Sequence, residues 1–161
     1  MKRLLIILTL VLIAATSFAN DAVTKFQCET ATISIFNSNI IESPFFVVTV
    51  NTKRGVNYYP FLVEQEFFQT RCEKNADGKN YLLINNFCGG SGCSNSNYEL
   101  IDLTTGKEVL KTRTDLGSNS SEAESILKKH LVPFSCSRYT KTQTVPNDKG
   151  EFCFISALEL G

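Results

Sequence analysis

The chain has a single histidine, no stretch of like charge longer than two residues, and no apolar run long enough for a bilayer. Each shortage excludes something. With only His130 to act as a neutral-pH base, a serine or cysteine nucleophile has one imidazole to draw on. The absence of charge runs argues against a nucleic-acid footprint and against an anionic-membrane patch. The longest apolar run, Leu4–Ala15, is interrupted only by Thr9. It is well short of the ~20 residues a spanning helix needs.

That run instead reads as a secretory signal. Lys2 and Arg3 precede it, and Ser17-Phe18-Ala19 puts small residues at the two positions that determine cleavage. Residues 1–19 are therefore assigned to a signal peptide and 20–161 to a single β-rich domain, with no stable membrane anchor after cleavage. The destination is the periplasm or the exterior. Cleavage removes two basic and no acidic residues, so the mature balance is 14 Lys plus Arg against 16 Asp plus Glu, a charge of −2.

Six cysteines lie in the exported part: Cys28, Cys72, Cys88, Cys93, Cys136 and Cys153. An even count in an oxidising compartment points to disulfides. Fifteen pairings are possible, and sequence separation favours Cys88 with Cys93. The intervening Gly89-Gly90-Ser91-Gly92 suits the sharp reversal such a bridge requires, since five extended steps would hold the two Cα atoms about 17 Å apart rather than roughly 5.5 Å. A rival arises from the spacing, which runs 44 and 16 residues from Cys28 and then 43 and 17 from Cys93. Read as an old duplication, that pattern makes Cys28 to Cys93 a credible bridge.

Short strands separated by turn chemistry dominate the chain. They are expected at about 23–28, 31–36, 45–50, 56–63, 66–72, 81–87, 97–102, 107–112 and 151–160. Pro60 can donate no ladder hydrogen bond, which makes its strand broken or an edge. Gly106 suits the left-handed residue that closes a turn with a bulge. One helix is expected over about 121–131, begun by a capping box of Ser121 and Glu124, with an apolar stripe and a basic end at Lys128, Lys129 and His130. The fold class is α+β: a mostly antiparallel sheet of short strands with one helix in the C-terminal half, stabilised by disulfides.

Chemistry is sparse. The pattern G-x-S-x-G around Ser91 is not met because position 93 is Cys. No second cysteine or histidine pair completes a metal set with Cys88 and Cys93, and the glycine run lacks the lysine of a phosphate cradle. No metal, cofactor or catalytic residue is assigned. Paired carboxylates, Glu64 with Glu66 or Glu99 with Asp102, keep a glycosidase-like hydrolase open. The favoured reading is a protein-binding module without enzymatic activity: a cinched loop (Gly89, Gly90, Ser91, Gly92) inserted into a partner's cleft, with Tyr58, Tyr59 and Phe61 as an aromatic contact patch.

The stretch CGGSGC followed by NYELIDLTTGK resembles small exported proteobacterial proteins with a Gly-Ser/Thr-Gly-Cys loop and an Asp-x-x-Thr-Gly-Lys strand ending, matched at Asp102, Thr105, Gly106 and Lys107. The Cys-x4-Cys loop is also similar to that of periplasmic lysozyme inhibitors of the Ivy type. That family's loop carries a histidine, where this one holds glycine and Ser91. The resemblance implies an inhibitor or immunity protein whose partner is a secreted or periplasmic enzyme or toxin. An envelope structural or adhesion component is the third possibility.

Overall fold

In a computed structural model, residues 23–38, 45–62, 67–87, 94–115, 117–134 and 151–155 are described. The expected signal peptide lies outside them. Among the described residues nine strands form two antiparallel sheets. The first is a meander of β1 (Val23–Cys28), β2 (Ala31–Ser38), β3 (Phe45–Thr52) and β4 (Gly55–Leu62). The second comprises β5 (Phe67–Lys74), β6 (Asn80–Phe87), β7 (Tyr98–Asp102), β8 (Lys107–Leu110) and β9 (Phe152–Ile155). Its strand order is β8-β7-β6-β5-β9, so the last described strand lies at the edge beside β5.

Alternation sets the faces. In β3, Phe46, Val48 and Val50 are buried while Phe45, Val47 and Thr49 are only half-buried. A strand turns successive side chains to opposite faces, so this phase commits one face of the first sheet to the interior. There Ile33, Ile35, Phe46 and Val48 meet Phe68, Leu82, Ile84 and Phe152 of the second sheet. Phe46 stacks on Phe68 with ring centroids 4.5 Å apart, and Phe152 meets Phe46 edge-on at 6.4 Å. Truncating a ring so placed costs about 3–5 kcal/mol.

The second sheet is covered on its other face too. Helix α1 (Ser120–Leu127) lays Ala123 and Leu127 against Tyr81, Leu83, Tyr98 and Leu100. This is why β6 and β7 are buried almost without alternation. The layers are therefore sheet, sheet and helix, and the expected α+β class with a mostly antiparallel sheet is observed.

A disulfide joins Cys28, at the end of β1, to Cys72 on β5, with Cα atoms 5.5 Å apart. It staples one sheet to the other. Because Cys28 is taken, the alternative Cys28–Cys93 bridge is overturned. Cys153 is disulfide-bonded as well. Cys88, Cys93 and Cys136 lie outside the described residues, and with them the favoured Cys88–Cys93 pairing.

The helix departs from expectation at both ends. It begins at Ser120, one residue early, and the N-cap is Asn119, whose side chain makes no cap hydrogen bond. Its amide is used elsewhere: Asn119 Oδ1 accepts from Tyr98 N–H at 2.7 Å, and Nδ2 donates to Tyr98 O at 2.7 Å and Lys111 O at 3.0 Å. No capping box forms, since Ser121 lies inside the helix and Glu124 instead accepts from the Leu131 N–H at 2.9 Å. The helix stops at Leu127 because Lys128 adopts a left-handed conformation, φ 53°, so Lys129 and His130 follow the helix rather than belonging to it.

Candidate contact surface

The first sheet has one face in the core and one turned outward. On the outward face the register aligns residues into cross-strand rows: Lys25, Ser34, Thr49 and Tyr58 in one, Gln27, Thr32, Asn51 and Val56 in the next. Thr49 Oγ1 donates to Ser34 O at 3.4 Å along the first row. At the β4 edge, Val56 is 47% exposed and Tyr58 68% exposed, with Pro60 exposed beside them. Phe36, Phe45 and Val47 continue the apolar stripe in half-buried positions. Among the described residues the helix packs on the second sheet, and the first sheet carries no covering layer.

Pro60 belongs at this edge. Lacking an N–H, it would break a ladder in a central strand, and β4 ends the order β1-β2-β3-β4. The uncovered face thus combines a sheet edge, an exposed tyrosine and hydrogen-bonding hydroxyl and amide side chains.

The expected aromatic patch is divided by the same alternation. Tyr58 faces out, whereas Phe61 is buried in the core and Tyr59 is half-buried against it. Adjacent strand residues cannot share a face. Tyr59 instead reaches across to the second sheet, where its hydroxyl donates to the Gly106 carbonyl.

The Asp-x-x-Thr-Gly-Lys ending proves to be self-supporting turn chemistry. Asp102 Oδ1 accepts from Thr104 N–H at 2.8 Å, Oδ2 accepts from Thr105 Oγ1 at 2.9 Å, and Asp102 O accepts from Gly106 N–H at 2.7 Å. Lys79 Nζ adds an ion pair at 2.9 Å. Burial pushes the Asp102 carboxyl up, but the Lys79 ammonium, the Thr104 N–H and the Thr105 hydroxyl outweigh it and hold it below the usual range. Gly106 has φ 64°, and a Cβ there would lie 2.2 Å from Asn57 Nδ2. The turn therefore packs directly on the start of β4, and glycine is demanded by conformation and by space.

The carboxylate pairs fare differently. Glu64 and Glu66 lie outside the described residues. Glu99 and Asp102 are not brought together as a pair: Asp102 is consumed by the turn, while Glu99 is only 6% exposed and its neighbour in charge is Glu108. Burial first, and Glu108 second, push the Glu99 carboxyl up to about 8 against an opposing pull from Lys111. Burial, then Glu99 and Glu108, likewise raise the Tyr59 hydroxyl. His130 has a side chain 98% exposed, with Nδ1 3.3 Å from Glu124 Oε2. Gly89, Gly90, Ser91 and Gly92 lie outside the described residues.

No protein-family model matches the chain, and neither a curated protein nor a solved structure matches it. No described helix is long and apolar enough to cross a membrane. Among the described residues there is no cluster of three or more His, Cys, Asp or Glu side chains suited to a metal.

Proposed function

We propose that this is an exported binding protein of the periplasm, an inhibitor or immunity factor that engages a cell-wall-degrading or toxic enzyme. One observation carries the reading: the outward face of the first sheet leaves Val56 and Tyr58 exposed beside an edge strand and under no described layer. Exposed tyrosine on a rigid sheet is the kind of anchor that dominates protein interfaces. A disulfide bridging the sheets keeps that face preorganised and fits an oxidising compartment. The Cys-x4-Cys loop similar to that of the Ivy-type inhibitors supports the same role, with Gly89–Gly92 as a second contact element.

A pull-down from periplasmic extract tests it. The wild-type mature chain should retain a partner that Tyr58→Ser loses. Gly90→Trp should lose it as well if the loop takes part. Equal retention by Tyr58→Ser contradicts the surface assigned here.

The alternative, a small cell-wall hydrolase using paired carboxylates, is favoured by the proximity of a protonated Glu99 to Glu108. Peptidoglycan cleavage by the purified chain, lost in Glu99→Gln, would establish that reading instead.

A further inference from the structure

The exposed charges are distributed unevenly. Among the described residues, Lys25, Lys53, Arg54 and Lys107 are exposed and in no ion pair, while the other seven lysines and arginines all have acidic partners. Every described acidic side chain except the buried Glu99, and Glu124, whose partner is His130, is already in an ion pair with a lysine or arginine. Three of the surplus cations border the outward face. Lys53 and Arg54 form the turn between β3 and β4, next to Val56. Lys107 does not, because it follows Gly106, which packs on Asn57 and Tyr59 of the inward-facing rows. Lys25 ends the row that contains Tyr58.

From this we infer that the partner is a protein presenting an apolar contact bordered by carboxylates. Its apolar part seats on Val56, Tyr58 and Pro60, and its acids pair with Lys25, Lys53 and Arg54. The inference rests on the binding reading above and adds the partner's chemistry. A second copy of this chain is a poorer occupant, because among the described residues its exposed acids, Glu124 apart, are already paired with lysine or arginine. A lipid surface is a poor one too. Beside the apolar stripe the face carries Ser34, Thr49, Thr32, Asn51 and Gln27, whose hydroxyls and amides suit a polar, hydrated protein interface rather than acyl chains. Four strands about 4.8 Å apart and some 25 Å long offer on the order of 400–500 Å², over half of the roughly 800 Å² one side of a standard interface buries. The cations at the rim would govern the association rate and its salt dependence.

Zero-length carbodiimide cross-linking tests this, because it joins a lysine amine only to a carboxylate in direct contact. The mature chain is used as bait in periplasmic extract, alongside K25E/K53E/R54E and Tyr58→Ser, each first shown to melt like wild type. The expected result is a cross-link from Lys25 or Lys53 to an Asp or Glu of the captured protein. Retention should fall at least tenfold in the triple variant and fall with added salt in the wild type. If the triple variant captures as well as wild type while Tyr58→Ser does not, the acidic-partner inference fails and the binding reading stands. If no bait captures anything, the binding reading itself fails. Two controls overturn the inference independently: cation-dependent sedimentation with phosphatidylglycerol–phosphatidylcholine vesicles, or cation-dependent self-association on size-exclusion chromatography.

Discussion

Glu99→Gln should stabilise the protein, and by an amount that depends on pH. The wild-type carboxyl is pushed from 4.5 to about 8 by burial between the sheets and by Glu108. The folded state therefore holds a proton that the unfolded chain releases, and folding stability falls as pH rises between those two values. Below about 4.5 the penalty is absent, it grows by about 1.4 kcal/mol per pH unit through the window, and it saturates above about 8. At pH 7 it amounts to about 3 kcal/mol, and at pH 9 to roughly 5 kcal/mol. Gln has the same shape and no charge to desolvate. Urea unfolding followed by far-ultraviolet circular dichroism suits the assay, since the chain has no tryptophan. The variant and wild type should unfold at similar urea concentrations at pH 4 and separate progressively toward pH 9, with the variant the more stable. A difference that does not change with pH, or a variant less stable than wild type at pH 8.5, would refute the placement of Glu99 as a buried, neutral carboxyl.

Three further variants probe the frame. Cys28→Ser with Cys72→Ser opens a loop spanning 44 residues and should lower unfolding free energy by about 4 kcal/mol, read from the urea midpoint under non-reducing conditions. Arg71→Ala removes the partner 3.1 Å from Glu151 and 2.6 Å from Glu73 in a buried network, and should cost about 3–5 kcal/mol by the same assay. Gly106→Ala places a side chain in the left-handed region and against Asn57, so a loss of about 1–2 kcal/mol is expected, with altered amide resonances at Asn57 and Tyr59.

Much of the sheet architecture was legible from local chemistry. FFVVTV alternates cleanly, Pro60 marks an edge, and Gly106 marks a left-handed turn, because each of these is decided within a few residues. What depended on distant partners was not legible. Asn119 gives up the helix cap to bond Tyr98 and Lys111, contacts that exist only once the strands and helix are docked. The Cys28–Cys72 bridge joins residues 44 apart, and spacing alone cannot rank it among fifteen pairings. The division of Tyr58 from Tyr59 was available in principle, since consecutive strand residues face opposite ways. Glu99 carried a signal as well: it sits in Tyr-Glu-Leu-Ile, where apolar neighbours on both faces imply a strand covered on both sides. Lys25 and the Lys53-Arg54 pair come from separated segments, so their placement around one sheet face emerges only with the fold.

Hydrogen exchange of the mature chain, free and in complex with its captured partner, tests the central claim most directly. Slowed exchange across residues 53–60, on the edge strand and the turn that precedes it, is the predicted result. Protection confined to the second sheet and the helix, with 53–60 unchanged, would contradict it.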